Sequence, residues 1–350
     1  MTRLLIAVPA LIVAVVGRIM GQDVVVFAAT IAALVPLAGM MGEATEELAS
    51  HTGPRLGGFL NATFGNAAEL IIGIFLIRSG EIEILKASLA GSVIGNILLV
   101  LGLAFLVGGV KNGIQRFDAQ LSGMHTAALA IAVVGLMMPA LFHEAVPEAK
   151  FIETEGVSVG VAIILLLVYG AVIVFSFFTP DDGAPDAHPA HEPNWTMRAS
   201  VGGLILAAAL VAVASELLVH SLEEASKSLG LSELFIGLIL VPVVGNAAEH
   251  FSAVIFAAKD RVNLAIEIAA GSGTQVALFV APILVVISLI VGQPMDFFFS
   301  AFEIAAVGLS TIVLGFIALD GRSNWLEGVL LLASYLIMAV SFFFLPGGAA

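Results

Sequence analysis

The chain has 350 residues, 60% hydrophobic and only 11% charged, with mean hydropathy +1.10, whereas soluble domains carry about 25% charged residues. This composition excludes a soluble domain and points to an integral membrane protein. A net charge of −14 argues against nucleic-acid binding and suits attraction of cations, and the lack of cysteine excludes disulfides and thiolate metal sites.

Runs long enough to cross about 30 Å of hydrocarbon lie near 3–20, 23–42, 56–79, 85–109, 119–141, 157–178, 199–221, 232–257, 263–291, 297–318 and 325–345. The expected fold class is therefore all-α integral membrane with 11 transmembrane helices. The first run follows Arg3 as a signal peptide would. It has no convincing small-residue cleavage site and meets Arg18 directly, so it reads as an anchor. If the N-terminus is cytoplasmic, that side holds Arg3, Arg55, Lys111, Arg116, Arg198, Lys259, Arg261 and Arg322. The other side holds Arg18, Arg78, Lys86, Lys150 and Lys227, and the bias of eight against five favours N-in and C-out. The stretch from His143 to Glu155 is expected as a Glu-rich loop, solvated or gathering cations at an entrance.

The sequence GNAAE occurs twice, as Gly65 to Glu69 and as Gly245 to Glu249. At the same offset of 180 residues Glu43 falls on Glu223, Gly57 on Gly237, and Gly91 Ser92 on Gly271 Ser272, without a gap. Spans two to six and seven to eleven thus read as copies of one five-helix unit. Five is odd, so the second copy enters the membrane from the opposite side. The expected parts are an N-terminal helix (1–22), a first repeat (23–178), a linker (179–198) and a second, inverted repeat (199–350). Such repeats place a substrate site near the midplane, commonly at interrupted helices. Gly57, Gly58 and Gly65 loosen the third span, and Pro242 and Gly245 the eighth. The linker from Thr179 to Asn194 holds Pro180, Pro185, Pro189 and Pro193 with several acids and His188 and His191, and reads as exposed and irregular.

On a helix Asn66 and Glu69 share a face, as do Asn246, Glu249 and His250. A charge at the bilayer centre costs about 2.5 to 3.5 kcal/mol on insertion scales, so duplicated buried glutamates point to function. Facing each other, Glu69 and Glu249 neutralise one divalent cation. Calcium wants about six to eight oxygens, which these carboxylates, the Asn66 and Asn246 carbonyls, freed backbone and water can supply; magnesium fits less well. Without a cation, two carboxylates so close are unstable as an ionised pair, so the site holds protons or metal. That exclusion is a physical basis for exchange. His250, whose counterpart is Leu70, can tune Glu249 or be a plain core histidine. Ser92, Ser272, Gln275 and Asn96 are expected to support the site, with ordinary helix packing as the alternative. Glu43, Glu46 and Glu47 share a face, as do Glu216, His220, Glu223 and Glu224. These read as vestibules on gating helices, or as helix ends meeting water. Glu267 and Glu303 have no acidic counterpart and no assigned role.

GNAAELIIGI (Gly65 to Ile74) and GNAAEHFSAV (Gly245 to Val254) resemble the two signature repeats of the calcium/proton exchangers, the cation exchanger branch of the calcium:cation antiporter superfamily. The resemblance covers nearly the whole chain. It implies that Glu69 and Glu249 bind calcium and protons alternately, with Asn66, Asn246 and His250 beside them and Ser92, Ser272 and Gln275 lining the site. It also implies that spans two and seven slide as gates. Two features differ from the family pattern: a short Pro-rich linker, and Gly95 where symmetry with Gln275 would place another amide.

The reading is a secondary antiporter exchanging cytoplasmic calcium for protons, with calcium as transported substrate and no cofactor. It is not an enzyme: Glu249 and His250 do not make an HExxH pair, and no nucleophile stands beside a base. The alternatives are an antiporter for manganese or sodium on the same scaffold, and a cation channel, which needs weaker or multiple sites. The expected setting is a prokaryotic plasma membrane with the N-terminus cytoplasmic, or a vacuolar membrane. A homo-oligomer is compatible with this reading.

Overall fold

The computed structural model describes residues 2–52, 60, 63–146, 148, 151–178 and 193–345. The described part is built mostly of helix: α1 (Thr2–Ile19), α2 (Asp23–Ser50), α3 (Ala67–Ser79), α4 (Ile82–Asn112), α5 (Ala119–Ala145), α6 (Phe151–Phe178) and α7 (Met197–Leu229). Then follow α8 (Glu233–Gly245), α9 (Ala247–Ala258), α10 (Val262–Val291), α11 (Ala301–Ala318) and α12 (Trp325–Phe343). Eight helices are long and apolar enough to cross a bilayer: α2, α4, α5, α6, α7, α10, α11 and α12. The pair α8 and α9 makes a ninth if its 61° bend lies within one span. The expected spans near 3–20 and 56–79 correspond to α1 and to α3, the latter preceded by residues outside the described set. Apolar side chains such as Leu167, Phe316, Leu319 and Ile337 are exposed, as surfaces facing lipid are.

Helix ends follow local chemistry rather than the membrane boundary. The span expected at 23–42 continues to Ser50 as α2, and that expected at 199–221 continues to Leu229, where Gly230 stops α7 with a φ of +66°. Glutamate is a good helix former, so Glu43, Glu47, Glu223 and Glu224 extend these helices beyond their apolar runs. The expected acidic loop from His143 is largely helical, because α5 runs to Ala145 and α6 starts at Phe151. Glu303, without a role in the sequence reading, closes a capping box with Ser300 at the start of α11. The linker residues from Thr179 to Glu192, with His188 and His191, and also Gly57, Gly58 and Arg55, lie outside the described residues.

Helices α2 and α7 lie along each other, with α1 against α2, while α4 is packed by α8, α9, α10 and α12. At one face a short antiparallel pair, β1 (Gln115–Arg116) with β2 (Arg322–Ser323), ties the two halves of the chain. Beside it Gln115 Nε2 donates to Ala257 O at 2.9 Å and to Asp260 Oδ1 at 2.8 Å, holding the turn between α9 and α10. At the opposite face the segment before α11 tucks Met295, Phe297 and Phe299 into the core. There Lys86, only 4% exposed, meets Asp296 at 2.7 Å, Glu83 at 2.9 Å and Phe298 O at 3.1 Å. Those three acceptors satisfy the ammonium donors. Counting Lys86 as a loop charge for orientation was therefore mistaken: it is an internal ion pair, which hydropathy cannot reveal.

The approach of α8 to α4 depends on two glycines. A Cβ on Gly91 would run into the Leu238 carbonyl, and one on Gly237 would stand 2.9 Å from Ile84 O. This backbone contact brings Asn246, just beyond α8, level with Ser92 one residue after Gly91. Gly91→Ala is expected to force the helices apart at a cost of about 1 to 3 kcal/mol. The check is the thermal midpoint and monodisperse yield in detergent. Both should fall in Gly91→Ala and hold in Gly42→Ala, whose new methyl meets nothing within 4 Å; an unchanged Gly91→Ala midpoint would refute the contact.

Candidate functional site

Both copies of the duplicated motif sit where a helix restarts. Asn66 (φ −96°, ψ 24°) precedes α3, and Asn246 (φ −97°, ψ 7°) separates α8 from α9. Each asparagine carbonyl then opens the next helix: Leu70 N donates to Asn66 O at 3.1 Å, and His250 N to Asn246 O at 3.0 Å. The asparagines stand at the breaks themselves, and each glutamate follows three residues later in the helix that restarts there. Gly65 and Gly245 precede them. Glycine is needed at the latter because Glu69 Oε1 lies 3.3 Å from where its Cβ would be. Glu69 and Glu249 fall in the first turns of α3 and α9, where the helix dipole favours negative charge.

The side chains cross between the halves. Ser272 on α10 donates to Asn66 Oδ1 at 3.1 Å, and Asn246 Nδ2 reaches Ser92 on α4 at 3.4 Å, so each asparagine meets the serine of the other half. The pairs are unequal. Asn66 Nδ2 also donates to Gln275 Oε1 at 2.7 Å, and Asn96 Nδ2 donates to Ser272 at 3.0 Å. By contrast Asn246 Nδ2 also donates to Pro242 O, back on α8, at 3.1 Å. The Ser272 hydroxyl also reaches the Glu249 carboxylate, so its one proton has two acceptors within range. Asn66, Asn246, Ser92, Asn96 and Ser272 are all buried. Asn96 lies within the π turn at Gly95–Val100, and Gln275 immediately precedes the one at Val276–Val280; both change helix register beside the site.

Four acceptor oxygens remain buried without a partner among the described residues: Glu69 Oε1, Glu249 Oε2, Asn246 Oδ1 and Asn96 Oδ1. The two carboxylates feel each other's charge. A narrow cleft lined by Glu69, Leu85, Ser88, Ser92, Pro242 and Gly245 runs beside them. Oxygens without donors suit a hard cation or transferable protons. Asn66 Oδ1 accepts from Ser272, whereas Asn246 Oδ1 is open. His250 follows Glu249 on α9 and is half-buried.

The expected vestibule residues lie apart from this cluster. Glu43 meets Arg3 of α1 at 3.6 Å, and Glu223 meets Lys227 at 2.6 Å, so each of the duplicated pair carries a basic partner. Glu46 and Glu216 are exposed. Glu47 is not at a mouth: it is buried and accepts from Trp195 N at 3.0 Å and Asn194 Nδ2 at 3.3 Å. Sequence reasoning missed Glu81. It lies ahead of α4, where burial and the nearby Glu233 and Glu223 push its carboxyl above the usual carboxylate range. It also missed His125, which contacts α10 beside Ser272. Neither lies in the duplicated motif, so spacing carried no signal for them.

The profile of the sodium/calcium exchanger protein family matches residues 23–178 and again 199–344. A "Ca(2+)/H(+) antiporter" from Aphanothece halophytica is 42% identical over 344 residues, covering 93% of this chain and 91% of that protein. "Ca(2+)/H(+) antiporter ChaA" from Bacillus subtilis is 42% identical over 339 residues, with 95% of each chain covered. The solved structure of native YfkE superposes with a TM-score of 0.85 at 38% identity, covering 98% of this chain and 100% of that one.

The unequal pairing has a measurable consequence. Ser272→Ala strips a donor from buried Asn66 and an acceptor from Asn96, at about 1 to 3 kcal/mol for each group left unpaired. The thermal midpoint of the whole protein in detergent is therefore expected to fall in Ser272→Ala. Ser92→Ala, losing one long bond, should lower it by less. Equal losses in the two variants would mean that the network does not shape the site.

Proposed function

Because this chain belongs to the sodium/calcium exchanger protein family, on its calcium/proton exchanger branch, we propose that it moves calcium out of the cytoplasm against entering protons by alternating access. The family is one of transporters rather than catalysts. Calcium is the cargo on this reading, and no cofactor takes part. The observation that carries the reading is the set of unpaired acceptor oxygens on Glu69, Glu249 and Asn246 at two helix breaks.

Glu69 and Glu249 bind calcium as an ionised pair and protons as neutral acids. Asn246 offers its carbonyl, and Asn66 offers its own once Ser272 releases it. His250 adjusts Glu249, while Ser92, Asn96 and Gln275 hold the asparagines in place. The site cannot hold both cargoes, and an empty pair of charges resists burial, so reorientation with one or the other bound gives exchange. Helices α2 and α7 serve as gates, with Glu43, Glu46, Glu216 and Glu223 near their water-facing ends. The two separate family matches support an inverted pair of five-helix repeats at 23–178 and 199–350 after an N-terminal helix at 1–22, eleven spans in all. The setting is a prokaryotic plasma membrane with the N-terminus inside, and bacterial relatives of full length support it.

The test is calcium uptake into proteoliposomes with and without an imposed pH gradient. Uptake should follow the gradient and vanish in Glu69→Gln and Glu249→Gln. Calcium requires the ionised pair, so its apparent affinity is full at high pH and is lost as pH falls on the loading side, with protons acting as competitors. Uptake driven by sodium instead would favour the sodium-coupled alternative, and uptake indifferent to both gradients would favour a channel.

A further inference from the structure

His125 on α5 touches α10 at Thr274 and Gly271, its Nδ1 standing 3.4 Å from Thr274 Oγ1. The Thr274 hydroxyl spends its only proton on Ala270 O at 2.7 Å, so toward the imidazole it can only accept. Nδ1 therefore carries the hydrogen, and Nε2 carries a lone pair. That nitrogen is buried and has no partner among the described residues. An acceptor left unpaired away from water is costly, and here its lone pair is free to take a proton. The ring lies over Gly271, where even a methyl group would stand 3.6 Å from Cε1, so the missing side chain leaves room beside Nε2. At the duplicated offset the counterpart of His125 is Ala305, which places this base in one half only.

The ring meets α10 at Gly271 and Thr274, on either side of Ser272, so the imidazole lies level with the hydroxyl that reaches Glu249. The elements packed on α5 are α6, α10 with its π turn, and α11. Their charged side chains are Glu153 and Glu155 on α6, Glu267 on α10 and Glu303 on α11.

We propose that His125 is a proton-accepting station of the exchange, loading Nε2 while Nδ1–H stays bonded to Thr274. A proton arriving on water breaks an O–H bond and forms the Nε2–H bond with the imidazole lone pair, and the reverse step returns neutral imidazole. This rests on the exchange reading above, since only a proton-moving cycle uses such a base. It is a different group from the cargo carboxylates.

Two measurements test it. Nitrogen-15 histidine spectra of the whole protein in nanodiscs should show His125 as the Nδ1–H tautomer at high pH and gain a proton on Nε2 as pH falls. An Nε2–H tautomer would overturn the proposal, whatever the transport result. His125→Asn keeps a donor at the Nδ1 position but no base at Nε2. Its proton-driven calcium uptake should fall about tenfold or more at saturating calcium and lose its acidic limb. The calcium KM should stay within about twofold, since no cargo oxygen is removed. A wild-type protein coupled to the pH gradient together with an unchanged His125→Asn profile would sink the station and leave the exchange reading standing. Wild-type uptake indifferent to pH would sink both.

Discussion

The molecule depends on holding buried acceptor oxygens away from any protein donor. Glu69 Oε1, Glu249 Oε2 and Asn246 Oδ1 are buried without donors among the described residues, and each such group costs on the order of 1 to 3 kcal/mol, more if charged. Nothing local to GNAAE would hold this arrangement. It is imposed from outside, by α4 and α8 meeting through Gly91 and Gly237 and by α10 crossing to Asn66. Close backbone packing between small residues is the means available in a membrane, where burial of apolar surface adds little between helices.

The helix breaks and the crossed hydrogen bonds are one device. Interrupting the helix at Asn66 and Asn246 frees the asparagine side chains while their backbone carbonyls still start α3 and α9. The side chains then reach serines on the opposite half. Any sliding of one half against the other must break or exchange those bonds, so the geometry of the oxygens and the relative position of the halves change together. Ser272 is the hinge of this exchange because its single proton faces both Asn66 Oδ1 and Glu249.

Most of the span positions and the whole of the duplicated motif were legible in the chain, because both are carried by local hydropathy and by repetition. What was not legible depends on contacts between distant segments. Lys86 looks like a loop residue until Asp296, 210 positions later, is seen against it. Asn66 looks equivalent to Asn246 until Gln275 and Ser272 are seen to occupy both ends of its amide. Glu47 looks like its exposed neighbour Glu46 until the start of α7 is seen to lie on it. Helix ends failed for a different reason: hydropathy marks where the apolar run stops, whereas α2 and α7 stop only where their capping chemistry does.

The asymmetry within the repeat is the remaining step. Two identical halves would give two identical asparagines, and a site equally open toward either. Here Gln275 has Gly95 as its counterpart in the first half, and Asn96 has Val276 in the second. Both departures fall on the same pairing: Gln275 grips Asn66, and Asn96 grips Ser272. The Asn66 side is thereby held by three hydrogen bonds, while Asn246 keeps an open oxygen, one long contact across to Ser92 and a bond back to Pro242 O. On the proposed reading, a cation entering this conformation finds Asn246 ready and must displace Ser272 to engage Asn66, so loading is ordered by which half yields first. On that reading symmetry supplies the two ligand sets, and its local breaking supplies the sequence in which they act.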